Sequence, residues 1–202
     1  TPSNSSAASD VYKRQANEGL QVLGGSGFTE DWGIEQLVRD SRITRIYEGT
    51  NGIQALDLVG RKLALGGGRA VRNYFALIEG WLKAHAEADH VMAVGGALKQ
   101  LQQATMWIAT EGMKDPEQAG AAATPYLRLF ALTSLAWMWA RMAAVAKAKL
   151  AEGSTETAFY GAKLKSADFF MARILTETHS LLAEVKAGKA TLMAFSDEEF
   201  AA

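Results

Sequence analysis

The sequence has no cysteine, only three prolines and no excess of either charge. The lack of cysteine excludes disulfides, thiolate nucleophiles and cysteine-based zinc sites, and it fits a reducing compartment such as the cytoplasm. So few prolines argue against a turn-rich β-sandwich. With 21 basic and 22 acidic residues the net charge is −1. This excludes the basic excess that drives non-specific nucleic-acid binding.

Long uninterrupted apolar segments are also absent. The longest apolar stretch, Leu129 to Ala146, contains Thr133, Ser134 and Arg141. A membrane-spanning helix needs about 20 mostly apolar residues, and a central arginine costs about 2.5 kcal/mol or more on insertion. The first residues are polar and lack the apolar centre of a signal peptide. We therefore expect a buried helix here and no membrane span.

Hydrophobic residues at helical spacing are the most widespread feature of the sequence. Hydrophobic residues make up 49% of the 202 residues, enough for a sizeable core. From Ala16 onward they recur at spacings of three and four, and no segment shows the alternation of a strand. The spacing predicts helices over residues 31–41, 53–65, 70–88, 91–112, 125–151 and 155–187. The predicted fold class is all-α, an antiparallel helical bundle with short loops.

The helix over residues 125–151 is expected at the centre of the bundle. Pro125 suits its first turn, where the missing N–H would have no partner in any case. Gly188 is the expected stop of the last long helix. The predicted core places Leu129, Leu132, Leu135, Trp139 and Val145 against Leu98, Leu101, Ile174 and Leu181.

Composition divides the chain into three parts. Residues 1–15 are rich in Ser, Ala, Asn and Asp and lack apolar periodicity, so we predict that they are disordered. This stretch also looks like a non-native leader joined to a shortened gene. The run Gly66–Gly68 should end a helix, because three glycines make its continuation costly. The expected parts are residues 1–15, 16–66 and 67–202.

The three histidines do not predict a metal site. His85 and His90 are five residues apart, whereas a helical metal pair has a spacing of four. They and His179 are interpreted as solvated or capping side chains. Glu87 and His90 form one Glu-x-x-His pattern, but a di-metal helical bundle would need a second copy, which the sequence lacks.

Two other segments could carry chemistry. Gly24-Gly25-Ser26-Gly27 is either a plain turn between helices or a place where a ligand approaches the backbone closely. It is not a dinucleotide-binding fingerprint, because no strand precedes it. Glu48 is either a solvated loop carboxylate or a partly desolvated base, in which case burial would raise its pKa. Thr50 or Asn51 could cap the helix that follows.

Three motifs resemble the acyl-CoA dehydrogenase family, and their order and spacing match it. They are Gln21–Phe28 (QVLGGSGF), Arg39–Thr44 (RDSRIT) and Ile46–Gln54 (IYEGTNGIQ). Residues 67–202 resemble the extra C-terminal helical domain of the longer bacterial members. That second likeness depends on the helical pattern and on the ending Leu192–Phe195.

The resemblance implies an FAD-dependent enzyme that oxidises an acyl-CoA thioester to the trans-2-enoyl-CoA. Glu48 matches the base that removes the α-proton, and Gly49 matches a substrate-contacting position. The positions that match flavin contacts are Thr50, Asn51 and Gly52, together with Gln21, Val22, Leu23, Gly24 and Gly25, which reach the FAD of a neighbouring subunit. The family usually has another residue at Gly52, so a side-chain contact is lost there. Arg39 and Asp40 match a recurring pair with a structural role.

Several wider expectations follow from the same resemblance. It implies a homo-oligomer, at least a dimer, and an electron-transferring flavoprotein as electron acceptor in the cytoplasm. The family's N-terminal helical domain and middle β-domain have no counterpart here. We therefore expect a C-terminal fragment that is inactive by itself. The alternative is a non-catalytic helical interaction module in which Glu48 is only a loop residue.

Overall fold

The computed structural model describes residues 6–47 and 50–201. Nearly all of this part of the chain is helical, and it contains no strand, which confirms the all-α prediction. The α-helices are α1 Ser6–Val22, α2 Ile34–Ile43, α3 Asn51–Asp57, α4 Arg69–Ala84, α5 Val91–Lys114, α6 Pro116–Ala151, α7 Thr157–Phe169, α8 Glu177–Ala187 and α9 Asp197–Phe200. Short 3₁₀ turns cover Gly24–Phe28 and Glu30–Trp32, and π-helical turns cover Leu58–Lys62 and Phe170–Ile174.

The expected disorder of residues 1–15 is wrong for residues 6–15, which form the first part of α1. This stretch contains good helix formers, among them Ala, Lys, Arg and Gln, and α1 packs against α2. The Nζ atom of Lys13 donates to the Val38 carbonyl at 2.8 Å. The expectation for residues 1–5 falls outside the described residues, and the non-native origin of the leader stays a prediction.

The chain divides into two compact units, the first ending at Asp57 and the second beginning at Leu58. Leu58, Val59 and Leu63 pack against the core of the second unit. Gly66–Gly68, where we expected a boundary, therefore lies inside that unit. All three glycines have positive φ, which lets the chain turn sharply into α4.

The core of the second unit forms around α6, which packs against α5, α7 and α8. The predicted core positions Leu98 and Leu101 on α5 are confirmed as buried, and Val94 and Ile108 are buried on the same helix. On α6 the buried positions include Tyr126, Leu129, Leu132, Ala136, Trp137 and Ala140.

Part of the predicted core was assigned to the wrong face of α6. Leu135 is 37% exposed and Val145 is 57% exposed. The neighbouring Ala136 and Trp137 face inward in place of Leu135. Because α6 is apolar nearly all round, hydrophobic spacing does not specify its buried face.

Two helix boundaries also differ from those predicted. The helix α6 begins at Pro116, capped by the Asp115 side chain, which accepts from the Glu117 N–H at 3.0 Å. Pro125 therefore lies in the helix interior. The single helix expected over residues 155–187 is interrupted by the π-helical turn Phe170–Ile174. Its predicted stop is confirmed, because Gly188 has a φ of +66° directly after α8.

By length and composition alone, α6 could cross a membrane, with a mean hydropathy of 1.4 over its most apolar 18-residue window. Within the structure, 44% of that window is buried against the rest of the protein. The same helix supplies the centre of the core. Packing therefore accounts for part of its apolar character, and Leu135, Met138 and Val145 remain exposed.

Candidate functional site

The described part of the candidate site consists of two segments of the first unit. One is the stretch Gln21–Gly25 at the end of α1, and the other is the stretch from Thr50 to Gly52 at the start of α3. Glu48 and Gly49, the predicted base and substrate contact, lie outside the described residues.

The glycine-rich segment combines a structural glycine with two open ones. A Cβ atom on Gly27 would lie 2.6 Å from the Leu20 carbonyl oxygen, so the fold requires glycine there. Gly24 has a φ of +62°. At both Gly24 and Gly25 a Cβ would meet nothing within 4 Å. The backbone of these two residues is therefore approachable from outside, as a ligand contact needs.

Thr50 holds the start of α3 in a strained conformation. Its Oγ1 accepts a hydrogen bond from the Ile53 N–H at 3.3 Å, so Thr50 is the capping residue. Its φ is +46°, a value that a β-branched residue rarely adopts. Strain of this kind concentrates at functional sites, because the surrounding structure must hold it in place.

Asn51 has an unusual polar atom. Its Oδ1 is shielded from solvent and has no hydrogen-bond donor in the described part of the chain. A buried acceptor left without a donor costs about 1–3 kcal/mol. At Gly52 a Cβ would meet nothing within 4 Å. The unpaired Oδ1 of Asn51, next to the accessible backbone of Gly52, is suited to accept a hydrogen bond from a polar group of a ligand.

The remaining sequence candidates have local partners. On α2 the Gln36 amide donates to Asp40 Oδ1 at 2.6 Å, and Arg39 lies 3.8 Å from Glu35. These contacts join residues one helical turn apart, as the structural interpretation of Arg39 and Asp40 expects.

Between α1 and α2, desolvation and the nearby cations Arg42 and Arg45 lower the pKa of Lys13.

The histidines lie apart from one another, each with its own neighbour. The His85 ring stacks on Trp81 at a centroid distance of 4.6 Å. The Nε2 atom of His90 lies 3.2 Å from an Asp168 carboxylate oxygen. His179 bonds the Thr176 carbonyl through Nδ1. No group of three potential metal ligands occurs among the described residues.

Sequence reasoning missed the unpaired oxygen of Asn51 and the apolar surface of the first unit. Val22 is 86% exposed and Phe28 is 72% exposed. Trp32 and Ile53 are also exposed. A periodic pattern shows which residues share a face but not whether that face is covered, so the sequence held no signal for this surface.

Comparison with known proteins shows the family to which the chain belongs. Residues 6–63 match the acyl-CoA dehydrogenase C-terminal domain, and residues 74–196 match the family described as acetyl-CoA dehydrogenase C-terminal like. The chain belongs to the acyl-CoA dehydrogenase family, of which it contains two successive C-terminal helical regions. The first match begins at residue 6, inside residues 1–15, the stretch that its composition had distinguished from the rest of the chain.

Individual relatives agree with this assignment. The chain is 38% identical over 175 residues to 3-methylmercaptopropionyl-CoA dehydrogenase of Ruegeria pomeroyi, covering 80% of this chain and 28% of the relative. It is 31% identical to the broad-specificity linear acyl-CoA dehydrogenase FadE5 of Mycobacterium tuberculosis, covering 82% and 30%. It is 26% identical to butyryl-CoA dehydrogenase of Syntrophomonas wolfei, covering 95% and 32%. The chain thus spans less than a third of the length of each relative.

Proposed function

We propose that this chain carries the catalytic-base segment of an FAD-dependent acyl-CoA dehydrogenase, which converts an acyl-CoA thioester to the trans-2-enoyl-CoA. The observation that carries the proposal is the order of two family matches along the chain. The segment Ile46–Gln54, which resembles the family's base motif, lies inside the first match.

In this proposal Glu48 is the general base. An α-proton beside a thioester is only weakly acidic, so its removal needs a positioned carboxylate. A backbone N–H at Glu48 would donate to the thioester carbonyl and stabilise the negative charge that develops there. Gly49, without a side chain, would leave room for the acyl chain.

The residues after the base would hold the cofactor. The unpaired Oδ1 of Asn51 would accept from a polar N–H or O–H group of FAD. Thr50 and Gly52 flank it, and the open backbone at Gly52 permits close approach. When bound, FAD would accept the hydride from the substrate β-carbon.

The segment Gln21–Gly25 would contact the FAD of a neighbouring subunit. The open backbone of Gly24 and Gly25 supports such a contact. This arrangement needs at least a dimer, because one subunit then completes the cofactor site of the other. An electron-transferring flavoprotein would take the electrons onward, in the cytoplasm.

We further propose that the isolated 202-residue chain neither retains FAD nor turns over acyl-CoA. The relatives named above are about three times as long. A cofactor and a CoA thioester need a site that encloses most of their surface. The described residues of the first unit offer two short contact segments instead.

The test is Glu48→Gln in a full-length protein that carries this segment. The amide keeps the size of the side chain but cannot accept the proton, and loss of a general base typically costs about 10² to 10⁴ in rate. FAD content should not change. The measurement is flavin bleaching after anaerobic addition of acyl-CoA, with Glu35→Gln on α2 as a matched control.

Normal bleaching in the Glu48→Gln protein would remove Glu48 from the role of base. Stoichiometric FAD in the purified 202-residue chain would contradict the second proposal. A full-length protein with neither flavin nor turnover would support the helical interaction module instead.

A further inference from the structure

A cavity of about 190 Å³ opens in the second unit between α5 and the start of α8. All of its lining residues belong to this unit. Its apolar wall includes Met92, Met171 and Leu175. The polar groups that line it are one amide, one imidazole and two hydroxyls, and no Lys, Arg, Asp or Glu side chain takes part.

Gly96 widens this cavity at a cost to α5. A glycine inside a helix is about 1 kcal/mol less favourable than alanine. Elsewhere in the same helix packing explains a glycine, since a Cβ on Gly112 would lie 2.9 Å from the Ala119 Cβ. A Cβ on Gly96 would meet nothing within 4 Å. Gly96 is exposed and leaves open space beside the cavity that a larger side chain would fill.

Gln100, another lining residue, has an unpaired acceptor. Its Oε1 is shielded from solvent and has no hydrogen-bond donor among the described residues. The terminal torsion of a glutamine side chain is soft. A small rotation could therefore turn the amide oxygen toward a ligand that supplies an N–H or O–H group. Such a bond would relieve the cost of the unpaired oxygen.

The two threonine hydroxyls of the cavity also have free acceptor oxygens. The hydroxyl protons of Thr176 and Thr178 are donated to the carbonyls of Arg173 and Leu175, at 3.1 and 2.8 Å. Because His179 bonds the Thr176 carbonyl at 3.2 Å through Nδ1, that nitrogen carries the proton. With the Gln100 amide oxygen and two threonine oxygens as acceptors, and no Lys or Arg among its lining residues, the site favours a ligand that donates a hydrogen bond over a phosphate or a carboxylate.

The remaining features indicate the shape of the ligand. A volume of about 150 Å³ is large enough for benzene; this pocket, which is partly open to solvent, has about 190 Å³. Methionine sulfur makes favourable contacts with aromatic rings, and Met92 and Met171 both line the wall. The π-helical turn Phe170–Ile174 immediately precedes Leu175, and turns of this kind are frequent at functional sites.

We propose that this cavity is a binding site for a small uncharged aromatic ring that carries one N–H or O–H donor. Such a site would be additional to the proposed dehydrogenase site, and it does not depend on Glu48. The ring would occupy the space left by Gly96 and contact the two methionines, and its donor would bond Gln100.

The test uses the 202-residue chain and 5-fluoroindole, followed by ¹⁹F NMR. A ligand of this size should bind one site with a Kd on the order of 1 mM. Gly96→Leu, which fills the cavity, should weaken binding at least tenfold. Gly80→Leu on α4 is the matched control, because a Cβ on Gly80 also meets nothing within 4 Å and Gly80 does not line the cavity. Circular dichroism verifies that both variants are folded.

Two further measurements test the recognition of the donor. Replacing the N–H with N-methyl should weaken binding about fivefold, the value of one hydrogen bond, and so should Gln100→Met. Absence of saturable binding in the wild-type chain, or equal binding in folded Gly96→Leu, would overturn the site. Equal binding of the N-methyl probe would overturn the donor requirement.

Discussion

The guanidinium of Arg128 on α6 and the carboxylate of Glu177 on α8 form a two-pronged ion pair. Nε donates to Oε1 at 2.9 Å and Nη2 donates to Oε2 at 3.0 Å. The side chains are 19% and 33% exposed, so solvent screens the pair only in part. Planar pairing of this kind fixes the orientation of two helices as well as attracting them.

We expect Arg128→Lys to lower the free energy of unfolding by about 1 kcal/mol, because lysine keeps the positive charge but cannot form the bidentate pair of hydrogen bonds. The measurement is urea unfolding of the 202-residue chain. Arg173→Lys, on the exposed side of the π-helical turn, should change stability by less than about 0.5 kcal/mol. Equal effects of the two substitutions would contradict the geometric interpretation.

The hydrogen-bonded pair of buried Tyr126 and half-buried Thr105 should respond asymmetrically to substitution. The two hydroxyl oxygens lie 2.8 Å apart, and Thr105 Oγ1 also lies 2.8 Å from the Leu101 carbonyl, to which it donates. Tyr126 is therefore the donor to Thr105, and burial raises the pKa of its phenol.

Tyr126→Phe leaves Thr105 bonded to Leu101, so its cost should be about 0.5–1.5 kcal/mol. Thr105→Val leaves the Tyr126 hydroxyl buried without a partner, and it should cost about 1–3 kcal/mol. Chemical denaturation of both variants checks the order. A larger loss in Tyr126→Phe would show that the hydrogen-bond directions are reversed.

Asp115 should make stability depend on acid pH. The Lys189 ammonium, 2.6 Å away, and the Glu117 backbone N–H lower the pKa of Asp115 below its usual 3.8. A carboxylate with a lowered folded-state pKa stabilises the fold above its unfolded pKa, and that stability is lost as pH falls through the folded value. The loss should therefore fall below about pH 4.

Two substitutions separate this ion pair from the helix cap. Asp115→Ser keeps a capping oxygen for α6 but no charge, whereas Asp115→Ala loses both functions. Both should flatten the acid-side decline in the thermal midpoint, and the alanine variant should also be less stable at neutral pH. An acid-side decline like that of the wild type in Asp115→Ser would contradict the assignment.

The start of the second unit can be tested by truncation. Leu58, Val59 and Leu63 pack against its core, although they precede the glycine run. Residues 58–202 should therefore be more stable than residues 69–202, by about 2 kcal/mol or more, since burying one aliphatic side chain contributes about 1.5–3 kcal/mol. Equal urea midpoints for the two chains would restore the boundary to Gly66–Gly68.

The sequence by itself determined the helical class, the positions of most helices and the family. Spacings of three and four are sufficient for the buried stripe of α5, because that helix has both a buried and a polar side. The stop at Gly188 was also predictable, because a glycine directly after a helix readily adopts the positive φ that ends it. The family motif IYEGTNGIQ is a contiguous segment, so it can be recognised from the sequence without knowledge of the fold.

Only the tertiary structure decided which faces are buried and where helices continue. A helix that is apolar all round gives no signal that Ala136 and Trp137, rather than Leu135, face inward. A proline in the interior of a helix normally kinks or breaks it. In α6 the helix continues through Pro125, and the residues around it in sequence, Ala122, Ala123 and Tyr126, are buried. The unpaired oxygens of Asn51 and Gln100 were equally invisible in the sequence, because an orphaned acceptor is defined by neighbours distant in the chain.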